Sequence, residues 1–428
     1  MFIRSNTLAA PLEYARSAAP RAAGTSRTLH ALALLTAVAT FPLICMGGLV
    51  TSHHAGMSVP DWPNSYGYNM FLFPPSHWVG GILYEHTHRL MATVVGMLSI
   101  AMVAWAWRAQ ILGLVGIGKV SREADSQPEA STGGSTTPPA EHEQNGQDAR
   151  HATHAGDSTA PAELSNWLTP ERYRWLAVAV LGAVIFQGVL GGLRVLLVQL
   201  DLAIVHACVA QAFFCLAACM AVVTSRWWQD APDLSADTRG RSLVWLGSAT
   251  VAVIFLQLIA GATMRHFDAG LAIPDLPLAY GKLLPPTTAQ GLAAVNHVRA
   301  FDLNLDPVTL TQLWLHFAHR IGAVVVTIFV VLFAAKVLQK HLLPGLVVPA
   351  ALLPVLLLAQ ITLGVLTVLL RKPADVASTH VAVGALVLVT GFVLTMRAAR
   401  LYLRADRQSC QNASPSPSYS GEKMDIAR

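Results

Sequence analysis

Eight stretches of this chain are long and apolar enough to cross a bilayer as helices, and that requirement constrains the fold more than any other feature. A helix satisfies its own backbone hydrogen bonds inside lipid, where an open strand or loop cannot. The runs lie near 29–50, 84–107, 174–194, 203–224, 242–264, 313–336, 343–370 and 378–397. The seventh contains Pro344, Pro349 and Pro354, which predicts kinked or tilted first turns. Composition agrees. The 428 residues are 54% hydrophobic and 12% charged, half the charge of a soluble domain at about 25%. A soluble globular protein and a wholly disordered chain are therefore excluded. Five cysteines in 428 residues exclude a disulfide scaffold. The net charge of +5 does not indicate nucleic acid, because Lys and Arg gather at the ends of the apolar runs. Membrane lipid is the expected neighbour of the apolar faces.

Basic residues orient the spans. Arg4, Arg16, Arg21 and Arg27 precede the first, and Arg108 and Lys119 follow the second. Arg226, Arg239 and Arg241 separate the fourth from the fifth, Lys336 and Lys340 follow the sixth, and Arg397, Arg400, Arg404 and Arg407 follow the eighth. The loop 51–83 has no Lys or Arg. Both termini are predicted to lie inside. The expected location is the bacterial cytoplasmic membrane, ahead of the mitochondrial inner membrane. The first apolar run is long enough to span, so the start of the chain does not read as a secretory signal. The organisation reads as an N-terminal segment 1–28, helices 1–2 over 29–107, an inner-side linker 108–170, helices 3–4 over 171–226, a C-terminal four-helix bundle 242–400 and a tail 401–428. The linker and tail are polar and poor in bulky apolar residues, which predicts disorder.

An internal repeat organises the spans. "GGLVTSHHAGMSVPDWPNSYG" at 47–67 matches "GATMRHFDAGLAIPDLPLAYG" at 261–281 with a shift of 214. The shift pairs Gly47 with Gly261, Pro60-Asp61 with Pro274-Asp275, and Tyr66-Gly67 with Tyr280-Gly281. "EHTHRLMA" at 85–92 matches "HFAHRIGA" at 316–323, and Gln187 to Gly191 matches Gln360 to Gly364. The predicted fold is an all-α integral membrane protein, its eight transmembrane helices arranged as two tandem, parallel-repeat four-helix bundles.

The repeat also sorts the sixteen histidines. Only His88 and His319 are common to the second helix of each half, and the fourth helices carry His206 and His380. Two imidazoles facing each other across a four-helix bundle suit an iron held from both sides, as in a haem. Hydrogen-bonded packing histidines are the alternative. Zinc or copper would want three or four close ligands, more than the repeat supplies. Glu85 shares the His88 face, and His316 stands in its place in the second half, as a third metal ligand or, in preference, a supporting group or a propionate partner. Arg89 and Arg320 follow the ligand candidates and would be satisfied by a haem propionate or by reaching the interface. Arg194, Arg265, Arg371 and Lys372 are expected to reach the interface. The two Pro-Asp loops are expected to form lids over the histidines.

These motifs, "AGMSVPDWPNSYG", "EHTHR", the His206 helix and their C-terminal copies, resemble the haem A synthase family over about 42–107 and 171–400. The resemblance implies oxidation of the C8 methyl of haem O to a formyl group, giving haem A for cytochrome oxidase. It implies His88 and His206 as iron ligands of the substrate haem O, and Glu85 as the catalytic residue. It implies His319 and His380 as iron ligands of a haem b cofactor. Arg89, Arg320 and His316 would meet propionates or support the ligands. A haem O synthase and an electron-transfer partner are implied, and a homo-oligomer is left open. Some members carry a Cys pair in the first outer loop; residues 51–83 here have none, so no thiol role applies there. Two other classes compete: a di-haem b membrane electron carrier, which predicts equivalent halves, and a haem transporter, which predicts a polar midplane cavity.

Overall fold

The structure, a computed structural model, describes residues 26–114, 170–340 and 343–403. Among them are ten α-helices: α1 (Arg27–Ser52), α2 (Gly81–Leu114), α3 (Pro170–Leu197), α4 (Leu200–Val223), α5 (Arg226–Asp230), α6 (Thr238–His266), α7 (Ala289–Phe301), α8 (Leu310–Lys340), α9 (Pro344–Leu369) and α10 (Ala374–Tyr402). Eight of these are long and apolar enough to span, as expected, and the protein is a multi-pass membrane protein. The helices outrun the apolar runs at most ends, because polar residues in the interface can continue a helical turn. α2 reaches Leu114, so the first part of the predicted linker, 108–114, is helical. The rest of the predicted linker, 115–169, lies outside the described residues, as do 1–25 and 404–428. α9 runs through Pro349 and Pro354 without interruption, and Pro344 stands in its first turn, where its missing N–H costs nothing.

α1 packs on α2 and α4, and α3 closes the ring between α2 and α4. α6 packs on α8 and α10, and α9 closes the second ring. Each ring has its own apolar core, one built around Met102, Phe213 and Met220, the other around Leu243, Phe333 and Leu353. α10 also packs on α1 and α4, and it is the most enclosed span: 56% of its most apolar window is buried, against 17% for α2 and α9. Ile44, Phe214 and Ala385 fill the seam between the rings. Large apolar side chains left on the outside, such as Val38, Trp245 and Val348, face where lipid belongs.

The loop joining α1 to α2 and the loop joining α6 to α8 lie at the same end of the molecule. Arg265, in the last turn of α6, donates to Gly48 O (2.8 Å) in the last turns of α1. α7 belongs to the second loop and has no counterpart in the first; the sequence reading missed it. Thr288 caps it by accepting from Gly291 N–H.

Candidate functional site

Each of the four histidines selected by the repeat rests on a glycine of the preceding span. A Cβ built on Gly47 of α1 would stand 3.2 Å from His88 Cε1, and one on Gly191 of α3 would stand 3.3 Å from His206 Cε1. The same contact recurs at 3.0 Å between Gly261 and His319 and at 3.0 Å between Gly364 and His380. The small residues let helix and imidazole approach closely. The rings are half-buried. His88 and His206 lie within electrostatic reach of each other, as do His319 and His380. The bundles thus bring the histidines together in the expected pairs. His380 Nδ1 donates to the Gln360 carbonyl (3.1 Å), which can only accept, so its Nε2 keeps the lone pair a metal needs. His88 Nδ1 and His206 Nδ1 are buried, and their rings lie against the backbone of Leu43 and Gln187, the residues four before the seating glycines, as His380 lies against Gln360. Among the described residues no group of three or more His, Cys, Asp or Glu side chains could hold a metal ion. Two-ligand binding from opposite sides is what this donor set fits.

The two Pro-Asp loops fold alike over the pairs. Asp61 accepts from Tyr66 N–H (2.7 Å) and Gly67 N–H (2.8 Å). Asp275 accepts from Tyr280 N–H (2.9 Å) and Gly281 N–H (3.0 Å). Tyr66 Oη donates to Ser58 O and Tyr280 Oη to Ala272 O. The aspartates therefore shape the loops. Burial alone would raise the Asp61 carboxyl, but the Gly67 and Tyr66 amides, with Arg89 behind them, outweigh it and hold it below the ordinary carboxylate value.

Glu85 and Arg89 tie the first loop to α2. Glu85 is 4% exposed. Its Oε2 accepts from Val59 N–H (2.9 Å), and its Oε1 pairs with Arg89 Nη2 (2.8 Å). Arg89 also donates to the carbonyls of Val59, Asp61 and Asn64. In the second half His316 Nδ1 accepts from Ile273 N–H (3.3 Å), and Arg320 donates to the carbonyls of Ile273 and Leu278. Val59 and Ile273 are related by the repeat shift, so both histidine pairs lie under loops fastened by the same two positions.

A family model described as cytochrome oxidase assembly protein (COX15-CtaA) matches residues 30–392. The chain belongs to this family. Among named relatives, the heme A synthase of Rickettsia bellii is 32% identical over 132 residues, 31% of this chain and 36% of that protein. The heme A synthase of Nitrosospira multiformis is 32% identical over 157 residues, 37% of this chain and 41% of that protein. That of Shouchella clausii is 25% identical over 283 residues, 65% of this chain and 73% of that protein. The first relatives are thus matched over well under half of their own length.

Within this family member, the structure adds residues that the sequence reading passed over. Gln257 of α6 stands one turn before Gly261, the spacing already noted for Gln187–Gly191 and Gln360–Gly364. Its Nε2 lies 2.8 Å from His319 O and 3.0 Å from His319 Nδ1. Gln187 Nε2 likewise donates to His206 O (3.1 Å). Leu43 takes the fourth such position, so His88 lacks this support. Arg299 of α7 is 4% exposed and donates to the carbonyls of Leu271, Ala272 and Asp306 and to Tyr280 Oη. It fastens the second loop from above. Trp62 lies against Gly192 of α3, beside the glycine that seats His206.

Proposed function

We propose that this protein is a haem A synthase, an oxidoreductase of the bacterial cytoplasmic membrane that converts the C8 methyl of haem O to a formyl group in two oxidation stages. What carries the reading is the pairing of His88 with His206 and of His319 with His380, each ring seated on a glycine, in a chain of this family. His88 and His206 would ligate the substrate haem O. His319 and His380 would hold a haem b cofactor, whose chemistry is one-electron transfer. The glycine cradles fit a flat group bound between the rings.

The chain's own residues bind, orient and enclose. The glycines set ring depth, Gln257 and Gln360 orient the second pair, and the loops cover the outer end. We assign Glu85 as the catalytic residue. In the closed loop its oxygens are occupied by Val59 N–H and Arg89, so it is held in place at the edge of the first site, as a group acting on a developing charge or proton must be. Haem O synthase is the expected supplier of substrate, and an electron-transfer partner, donor or acceptor, is required.

A second reading, a di-haem b electron carrier, draws support from one observation: Glu85 and His316 fasten equivalent loop amides. Producing the chain together with a haem O source and identifying the extracted haems separates the two. A formyl-bearing haem is the expected result. Haem b alone, with haem O unconverted, overturns the synthase reading in favour of the carrier.

A further inference from the structure

Between the two histidine pairs lies a group of cations that the loops do not use. Arg194, in the last turn of α3, presses its guanidinium against Gly56 of the first loop. It lies within electrostatic reach of His88, His206, Glu85 and His266. Among the described residues it has no hydrogen-bond or ion-pair partner. Glu85, the carboxylate in reach, gives its two oxygens to Val59 N–H and Arg89. Arg265 crosses from α6 to the first bundle, where Nη2 meets Gly48 O and Ser52 Oγ. Ser52 Oγ is in turn 2.8 Å from Ser378 Oγ on α10. These contacts leave Arg265 Nη1 and Nε unused, and Arg265 reaches towards both His266 and His380. Asp268, the other acid nearby, points outward and is taken by Lys372 at 3.4 Å.

Two half-buried guanidiniums beside a histidine, with no carboxylate to spare, make an arrangement that apolar surroundings penalise until an anion arrives. The forked donors of arginine match a carboxylate. A haem held by either pair would carry two such groups, its propionates, on one edge. Resting on the haem reading above, we propose that Arg194, with Arg265 and His266 beside it, forms a carboxylate-binding cluster at the junction of the bundles that receives haem propionates. Arg194 serves the group held by His88 and His206. Its contact with Gly56 makes the first loop part of the same site. Arg265, anchored across the seam, faces the second.

Ferric haem b and its dimethyl ester, which lacks the propionate charges, test this in the detergent-purified full-length chain. Wild type is expected to bind the diacid at least about tenfold more tightly than the ester. Arg194→Gln loses a similar factor for the diacid and nothing for the ester, and Arg194→Lys recovers part of it. Unchanged ester binding with a low-spin bis-histidine spectrum shows that the Gln variant is folded. Equal affinity of wild type for diacid and ester, with that spectrum, overturns the cluster and leaves the haem reading intact. Equal loss of both ligands in Arg194→Gln makes the arginine structural and overturns the cluster as well. No low-spin spectrum with either ligand overturns the haem reading and the cluster with it.

Discussion

At the scale of single residues, the glycines opposite the histidines make the sharpest expectation. Gly261→Ala places a methyl 3.0 Å from His319 Cε1, too close for the ring to stay where it is. The ring must tilt, at a cost of about 1–3 kcal/mol in overpacking. The low-spin electron paramagnetic resonance signal assigned to the second pair should shift, while that of the first stays put. Gly47→Ala should do the reverse through His88; two unaltered spectra would remove the glycine cradle from the account. Glu85 needs two variants, because its carboxylate both fastens a loop and stands at the proposed chemistry. Glu85→Ala strands Val59 N–H and Arg89 and should cost about 1–3 kcal/mol of local stability. Glu85→Gln keeps an oxygen for Val59 N–H. If both variants hold haem and neither makes haem A, the catalytic assignment stands; normal haem A from Glu85→Gln reduces Glu85 to a fastener. The histidine pairs were legible in sequence because a repeat cancels chance: one intramembrane histidine says little, but four in register single themselves out. Arg194 was expected to reach the interface and instead turns inward against Gly56. Nothing in the order of residues says whether an arginine at a helix end turns outward to water or inward against Gly56.

At the scale of elements, the spans could be read from apolar length because lipid imposes a minimum that a buried soluble helix does not need. α7 escaped that criterion. It is short, lies in the loop between α6 and α8, and is held by Val295 in an apolar cluster, by Asn296 paired with Val308, and by Arg299, whose burial makes sense only once the carbonyls it meets are in place. The first loop offers a pH test. The Asp61 carboxyl is held below its ordinary value near 3.8 by the Tyr66 and Gly67 amides and Arg89. A group whose folded value is depressed stabilises fully above its unfolded value, and that contribution disappears as pH falls through the folded one. Amide protection at Tyr66 and Gly67 should therefore be flat at neutral pH and decline as pH drops below about 4. Asp61→Asn should lower the protection at neutral pH and flatten its dependence on pH. Protection in wild type that ignores pH across this window would show that the carboxylate is not what holds the turn.

At the scale of the whole molecule, two rings of four helices are joined differently at their two ends. The end near the histidines is bridged by Arg265, Ser52 and Ser378. The opposite end is joined through α5. Arg400 of α10, buried, donates to Trp228 O (3.1 Å) and Ala231 O (2.9 Å), Arg397 stands 4.9 Å over the Trp227 ring, and Leu234 N–H meets Leu401 O. The segment linking the first ring to the second is thus fastened to the last turns of the last span. Arg400 and His380 sit on one helix, separated by about 30 Å at 1.5 Å per residue. Arg400→Met keeps the aliphatic packing but leaves the two carbonyls without their charged donor, a loss of about 3 kcal/mol. That loss falls on the joint between the rings, not within either of them. Followed through the spectra of the haems proposed for the two histidine pairs, denaturation of wild type should show both signals disappearing together. In Arg400→Met each spectrum should be normal before denaturation, and the two should then be lost at different denaturant concentrations. Coincident loss at a lower concentration would mean that the bridge near the histidines alone keeps the rings cooperative and that the fastening through α5 adds only stability.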